Sequence, residues 1–192
     1  AGLDWDLLDA AGIDLAGRPV VNLVQHVRHA VPDDPRYRFL RRRALRICVG
    51  PEVAEALHAS GIVNGPVEVI SNALDLAELA SHRSPSPSPQ VFIAGLKNAA
   101  LARACAAILA EAGIPVDASI QRMPRSAFLD RMGGSRIGIL LPTPTEGFFL
   151  PALEAMALGV AAVVPDCVGA RSFCRHEDTC LVPRDATPEA IT

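Results

Sequence analysis

The stretch "RIGILLPTPTEGFFLPALEAMALGVAAVVP", residues 136–165, contains an apolar run, a loop, a short helical segment and a second apolar run. The apolar runs, RIGILLP and VAAVVP, have the length and the branched residues of buried strands. Between them, Pro151 favours the first turn of a helix and Gly159 favours the end of one. Two buried strands that flank a helix predict a parallel βαβ unit. The stretch therefore predicts an α/β fold.

The same alternation of strands and helices extends along the rest of the chain. In the first half we predict strands at Pro19–Gln25, Arg46–Val49 and Val67–Ser71, and helices near Asp4–Ala11, Arg36–Leu45 and Pro51–Ser60. In the second half we predict further strands at VFIAG, IPVDASI and CLVP, and further helices at Asn98–Ala112 and Pro124–Met132. Such alternation is typical of parallel sheets with helical crossovers.

The segment "SHRSPSPSP", residues 81–89, is rich in proline and serine, as extended linkers are. We therefore predict parts of two doubly wound, Rossmann-like domains: residues 1–78, a linker at 79–89, and residues 90–192. The first part is short for a complete domain of this type. The last residues, TPEAIT, have the composition of a helix that has barely begun. Both ends are thus expected to be truncated.

Composition narrows the class of protein. The 192 residues are 50% hydrophobic and carry a formal net charge of −3, which does not suggest nucleic-acid binding. No apolar run is long enough to span a bilayer. The five cysteines, an odd number, argue against a disulfide framework and for a reducing compartment, so we expect a cytoplasmic protein. Zinc is a weak alternative for Cys167, Cys174, His176 and Cys180, because no CxxC spacing is present; we expect no metal.

Two glutamates bracket the loop that follows RIGILLP. Glu146 lies in the loop, and Glu154 lies in or just after the first helical turn. This loop and the start of this helix follow the carboxyl end of a predicted parallel strand, where ligands of such sheets bind. Free backbone amides there suit an anion such as a diphosphate, and Gly147 would let the backbone come close to that ligand. A carboxylate at Glu154 could accept both hydroxyls of a ribose, and Glu146 those of a second sugar. The structural alternative is a dipole-complementing Glu154, a solvated Glu146, and phenylalanines in the core.

The run EGFFLPALEAMALG resembles the E-x7-E segment of retaining, GT-B-type glycosyltransferases of family 4, which commonly read Glu-Gly-Phe-Gly-Leu-Pro-x-x-Glu-Ala-Met-Ala-x-Gly before a Val-Val strand. "VEVISNALDL" is similar to the end of the family's first domain, with Asn72 and Asp75 matching. "VVNLVQH" resembles the strand that delivers a histidine, here His26. "VFIAGLKN" opens the second domain with Leu96 where the family has arginine. A later glycine and glutamate of the family are also not matched.

The resemblance implies a GT-B fold in which the second domain binds a nucleotide-sugar donor and the first binds a sugar, polysaccharide or lipid acceptor. It implies hexose transfer with retention and without a cofactor. The implied catalytic residues are His26, Glu146 and Lys97, with Arg122 or Arg125 compensating for Leu96. The implied donor-binding residues are Glu154, Gly147, Phe148, Phe149, Leu150, Gly95 and Thr143. With an incomplete acceptor domain, the chain alone is expected to show little or no transfer.

Three other functions remain open from the sequence. Two carboxylates can indicate a glycoside hydrolase, although a helical Glu154 beside an anion-suited loop favours a nucleotide ligand. A nucleotide-sugar epimerase would use the same kind of fold. Leu96 and the short first domain would fit a non-catalytic remnant that binds nucleotide-sugar or acts as an interaction domain. Separately, the arginine-rich segment "RYRFLRRRALR", Arg36–Arg46, predicts either a solvated helix face or peripheral contact with the inner membrane face or an acidic acceptor.

Overall fold

The structure, a computed structural model, describes residues 4–15 and 17–192, apart from the side chain of Pro89. The chain forms two compact units. The first unit contains the described residues up to Asn72 together with Thr145–Phe148, and the second contains Ala73–Pro144 and Phe149–Thr192. The change of unit thus lies at Asn72, earlier than the predicted boundary at residue 78.

The predicted linker at 79–89 is tied to the second unit. Leu79 is 1% exposed and belongs to that unit's hydrophobic core. The amide of Ser84 donates to the carbonyl of Gly133 (3.2 Å), and the amide of Ser88 donates to the carbonyl of Gly134 (2.9 Å). The proline- and serine-rich composition predicted an extended backbone, but it could not show that hydrogen bonds attach this backbone to a domain.

The first unit is built on three parallel strands, β1 (Val21–Val24), β2 (Leu45–Cys48) and β3 (Val67–Val69), in the order β1-β2-β3. Helix α1 spans Asp4–Ala10 and helix α2 spans Pro51–Ala59. These five elements confirm the sequence predictions to within a few residues at each end. Short 3-10 helices occupy Val27–Ala30 and Tyr37–Arg41.

The predicted α-helix at Arg36–Leu45 is wrong: only the 3-10 helix Tyr37–Arg41 forms there. The cause is Arg46, which lies on β2 and is fully buried. Its guanidinium donates to five backbone carbonyls, those of Phe39 (2.8 Å), Leu40 (3.2 Å), Arg42 (2.6 Å), Ala44 (2.8 Å) and Asn64 (3.1 Å). Carbonyls that converge on one side chain cannot also point along a helix axis.

The second unit has four parallel strands, β4 (Ser88–Ala94), β5 (Val116–Ser119), β6 (Ser135–Leu140) and β7 (Ala161–Val163), in the order β5-β4-β6-β7. Its helices are α3 (Leu76–Ala80), α4 (Ala99–Glu111), α5 (Arg125–Gly133), α6 (Leu150–Leu158) and α7 (Pro188–Ile191). The predicted strand CLVP is wrong, because that segment makes only isolated bridges, Val163 with Leu181 and His176 with Cys180.

The core of the second unit lies on both faces of its sheet. Phe92 of β4 packs with Leu129 of α5 and Leu158 of α6 in one apolar cluster. The flanking strand residues Val91 and Ile93 belong to a second cluster, with Leu109 of α4. Successive residues of a strand point to opposite faces, so helices cover both sides of this sheet. The second unit is therefore a doubly wound, Rossmann-like domain.

The carboxyl ends of β4, β5 and β6 meet at one edge of this sheet, at Ala94, Ser119 and Leu140. Ligands of parallel α/β sheets bind beyond this edge. The loops that begin there lead into α4, α5 and α6. None of the described helices combines the length and apolar character needed to cross a membrane.

Candidate functional site

A cavity of about 440 Å³ opens at this edge of the second unit. Its walls come from the loops after β4 and β5, the end of β6 and the first turns of α5 and α6. The charged residues of the lining are Lys97, Arg122, Arg125 and Glu154, and Leu150 also lines the cavity. The cavity thus brings together six residues that the sequence analysis named as candidates or compensating cations, namely Lys97, Arg122, Arg125, Phe149, Leu150 and Glu154.

Glu154 is the buried carboxylate of the cavity. It projects from α6 and is only 3% exposed. Its Oε1 forms an ion pair with the guanidinium Nη1 of Arg125, whose Nε also donates to Oε1 of Glu78 (3.3 Å). The hydrogen bond to Glu154 raises the pKa of Arg125, which therefore stays charged. A buried carboxylate needs such compensation, and no sequence pattern indicates that Arg125 provides it.

Positive charge exceeds negative charge around the cavity. Lys97 places its ammonium 5.4 Å from the ring centroid of Phe149. Arg122 is exposed and forms no ion pair with any described residue. With Arg125 the lining carries three cations against the single carboxylate of Glu154. The excess positive charge suits a dianionic group such as a diphosphate.

The N-terminus of α6 offers few amides to a ligand. The amide of Phe149 donates to the carbonyl of Gly169 (2.9 Å), and that of Ala152 donates to the carbonyl of Phe149 (3.2 Å). Pro151 has no N–H. The amide of Leu150, which lines the cavity, has no partner among the described residues. Among the predicted donor-binding residues of this unit, Leu150 is therefore the one whose backbone amide could donate to a ligand.

Two predicted donor-binding residues lie beside the cavity and do not line it in the part of the chain that is described. A Cβ on Gly95 would lie 2.2 Å from the Cβ of Ala102, so this glycine allows α4 to approach the end of β4. Thr143 is half-buried in the loop after β6. Contact of Gly95 and Thr143 with the donor remains a prediction.

The other predicted residues belong to the first unit. The Nδ1 of His26 accepts a hydrogen bond from the amide of Arg28 (3.2 Å) and so caps the 3-10 helix Val27–Ala30. An accepting Nδ1 leaves Nε2 as the donor of a neutral imidazole. Glu146 is 7% exposed. It is buried, and the solvated position of the structural alternative is wrong. Phe148 is half-buried, and a Cβ on Gly50 would lie 3.2 Å from its ring.

Gly147 is a close-contact position of the first unit. A Cβ there would lie 1.9 Å from the carbonyl oxygen of Gln25 and 2.6 Å from the Cα of His26. We expect Gly147→Ala to lower the free energy of unfolding by about 2 kcal/mol, because a backbone clash must be relieved. Urea denaturation measures this, with Thr145→Ala as the matched control on the same loop. Equal stability of Gly147→Ala and the native chain would contradict the close contact.

His29 predicts a pH dependence of stability. It is 5% exposed, and burial, followed by the charge of Arg36, lowers its pKa to about 4. The imidazole therefore binds a proton near pH 6.5 in the unfolded chain but only near pH 4 in the folded chain. The free energy of unfolding consequently falls as the pH drops from about 6.5 towards 4. We expect a loss of about 2 kcal/mol between about pH 7 and about pH 4.5 from this group.

Urea titrations at several pH values test this expectation. His29→Gln should show a flatter decline than the native chain over this range, whereas the exposed control His58→Gln should follow the native chain. Parallel declines in the native chain and in His29→Gln would remove His29 as the cause.

The arginine-rich segment forms ion pairs with neighbouring acids. Arg36 pairs with Asp34 (3.0 Å), Arg38 with Asp6 (2.6 Å), and Arg42 with Asp9. Arg46 is buried, so it is not part of any docking face, contrary to the sequence prediction. Arg41 and Arg43 are exposed and form no ion pair with a described residue. The surface offered to an anionic partner is therefore smaller than the sequence indicates.

The cysteines near the C-terminus are mostly buried. Burial raises the pKa of the Cys174 thiol, and the neighbouring thiols of Cys180 and Cys167 raise it further. Thiols of this kind are protonated and unreactive at neutral pH. Within the described residues, no group of three or more His, Cys, Asp or Glu side chains is placed to hold a metal ion.

Comparison with known proteins supplies a structural relative. The chain is similar to sucrose-phosphate synthase from Thermosynechococcus elongatus, with a TM-score of 0.65 and 17% sequence identity over 97% of this chain. It spans 60% of the length of that protein chain. No protein-family model and no curated protein sequence matches it. At this identity the likeness is one of fold, namely an α/β fold with parallel sheets.

Proposed function

We propose that the chain belongs to a retaining, family 4-like glycosyltransferase that transfers a hexose from a nucleoside diphosphate sugar to a sugar, polysaccharide or lipid acceptor. The observation that carries the proposal is the cavity of the second unit. There a buried carboxylate, Glu154, lies beside an excess of positive charge at the carboxyl edge of a parallel sheet. The similarity to sucrose-phosphate synthase supports the fold that such an enzyme requires.

The size and charge of the cavity fit a nucleoside diphosphate. Its volume of about 440 Å³ lies within the range of small-molecule sites. In the proposal, the ribose hydroxyls donate to Glu154 and the diphosphate meets Lys97 and the amide of Leu150. Positive charge held at the leaving diphosphate stabilises the negative charge that develops there during transfer, so Lys97 acts as a catalytic cation.

His26 and Glu146, which belong to the first unit, are proposed on the sequence resemblance to contact sugar hydroxyls. Glu146 is buried, and a carboxylate can accept hydrogen bonds from sugar hydroxyls. Gly147 and Phe148 complete the backbone around them. This assignment rests on the sequence resemblance and on the placement of these residues within one unit.

Calorimetric titration with a panel of nucleoside diphosphates and their sugars tests the proposal. We expect at least one to bind with a dissociation constant between about 1 µM and about 1 mM, the range of enzyme substrates. The same donor with a labelled hexose and an acceptor extract should give a labelled product in an assay of the full-length protein. Lys97→Ala should lower the affinity for nucleoside diphosphates. The control variant Arg103→Ala, which changes an exposed arginine, should leave this affinity unchanged.

Other results would indicate another function. Hydrolysis of an oligosaccharide without nucleotide would indicate a glycoside hydrolase. Conversion of the nucleotide-sugar to an epimer without acceptor would indicate an epimerase. Donor binding with no product from any acceptor extract would indicate a non-catalytic nucleotide-sugar-binding protein, for which Leu96, in place of the family's arginine, is the favouring observation.

We also propose a cytoplasmic location with peripheral membrane contact through Arg41 and Arg43, the exposed arginines of the segment. Sedimentation with anionic vesicles tests the contact, and loss of binding in the double variant Arg41→Gln, Arg43→Gln is the expected result. Equal sedimentation of the native chain with neutral and anionic vesicles would contradict it.

A further inference from the structure

Arg122 and Arg125 line the same cavity of the second unit, yet their surroundings differ. Arg122 lies in the loop after β5, and Arg125 begins α5. On sequence alone either could serve as the cation that replaces the arginine missing at Leu96. The ion pairs of the two side chains distinguish them.

Arg125 is committed to carboxylates on two different helices. Its Nη1 forms the ion pair with Oε1 of Glu154 on α6, and its Nε donates to Oε1 of Glu78 on α3 (3.3 Å). One guanidinium between two carboxylates leaves no surplus positive charge for an incoming anion. Its chemical effect is to fix Glu154: Oε1 is held, and Oε2 with the remaining lone pairs can accept hydroxyl hydrogens.

Arg122 has the opposite character. It is exposed, lines the cavity, and forms no ion pair with any described residue. Its charge is therefore available to a ligand. Lys97, on the loop after β4, lines the same cavity as Arg122.

We propose that the two arginines have separate tasks. Arg125 is a positioning residue that holds Glu154 for a ribose diol, and Arg122 contacts the diphosphate. The assignment rests on the proposed function, namely that this cavity binds a nucleoside diphosphate. In this proposal the linked ion pairs of Glu78, Arg125 and Glu154 determine the preference for a nucleotide whose ribose carries both hydroxyls over one that lacks them.

The test uses two variants of the chain and three ligands. The variants are Arg122→Gln and Arg125→Gln, with Arg103→Gln on α4 as an exposed control. The ligands are the tightest-binding nucleoside diphosphate, its 2′,3′-dideoxy analogue, and inorganic pyrophosphate. Calorimetry gives a dissociation constant for each combination, and each variant's thermal unfolding is recorded alongside.

We expect Arg125→Gln to weaken the ribonucleotide about tenfold, because an oriented, charge-assisted hydrogen bond to the diol is lost. Its affinity for the dideoxy analogue and for pyrophosphate should stay within about twofold, so the preference for ribose disappears. Arg122→Gln should weaken all three ligands about fivefold and keep the preference for ribose. A purely structural role for Arg125 would weaken the three ligands alike.

Three results would overturn the proposal. The first is a loss of pyrophosphate binding in Arg125→Gln that equals the loss of ribonucleotide binding. The second is unchanged pyrophosphate binding in Arg122→Gln. The third applies if Arg125→Gln does not fold: Arg125→Lys, which keeps the charge, should retain most of the preference for ribose, and its complete loss in a folded protein with intact pyrophosphate binding would contradict pairing by charge.

The proposed function can fail separately. If the native chain binds none of the nucleotides, the cavity is not a donor site. If the native chain binds ribonucleotide and Arg125→Gln weakens every ligand equally, the donor site stands and only the assignment of Arg125 is wrong.

Discussion

Glu154→Gln is expected to weaken binding of a nucleoside diphosphate about fiftyfold, equivalent to about 2.3 kcal/mol. Glutamine keeps the shape of the side chain and its carbonyl oxygen can still accept from Arg125. It removes the negative charge from a position that is 3% exposed, where a hydrogen bond from a ribose hydroxyl to a charged acceptor is strong. Calorimetry on the native chain and the variant measures the change.

Two controls separate this effect from damage to the fold. Inorganic pyrophosphate has no ribose, so Glu154→Gln should bind it no more weakly than the native chain does. Glu111→Gln changes an exposed glutamate of the same unit and should leave nucleotide affinity unchanged. Equal nucleotide affinity of Glu154→Gln and the native chain would remove Glu154 from the binding site.

Arg46→Met is expected to lower the free energy of unfolding by about 4 kcal/mol. Arg46 is fully buried and satisfies five backbone carbonyls, and burial lowers its pKa without removing its charge. Methionine fills a similar volume but donates no hydrogen bond, so these carbonyls lose their shared donor. The measurement is the urea midpoint of unfolding together with its slope.

The matched control is Arg43→Met, an exposed arginine beside the same strand, which should change stability by less than about 0.5 kcal/mol. If Arg46→Met and Arg43→Met unfold at the same urea concentration, the carbonyl cluster does not hold this part of the first unit together. If only the slope changes in Arg46→Met, the variant alters the unfolded ensemble and the carbonyl cluster is again not the cause.

Elements with local end signals could be predicted from sequence. The side chain of Asn98 caps α4 by accepting from the amide of Leu101, and Gly113 follows that helix with a φ of +73°. Pro51 begins α2 at its N-terminal turn, and Gly159 ends α6 with a φ of +75°. These residues act within one turn of their own position, so their effect is visible in the sequence.

Helix α3 was missed although a local signal exists. Asp75 accepts hydrogen bonds from the amides of Ala77 and Glu78, and an acidic cap followed three residues later by glutamate is a helix-start pattern. The 3-10 helix Tyr37–Arg41 could not be foreseen in the same way. Its carbonyls accept hydrogen bonds from the buried guanidinium of Arg46, which lies on β2 and outside this segment.

The candidate site was predictable in part for the same reason. Glu154 follows from the helix that Pro151 and Gly159 delimit. Its partner Arg125 is 29 residues away in the chain, and only the packing of α5 beside α6 brings them together. A sequence pattern names the carboxylate, but it does not reveal which arginine neutralises it and which remains available to a ligand.

The most direct test is a crystal structure of the chain with the tightest-binding nucleoside diphosphate, collected at about ten times its dissociation constant, where the site is about nine-tenths occupied. We predict density in the cavity of the second unit, with both ribose hydroxyls on Glu154 and the diphosphate near Lys97 and Arg122. Density for the nucleotide at any other place, with this cavity empty, would contradict the assignment of the cavity as the donor site.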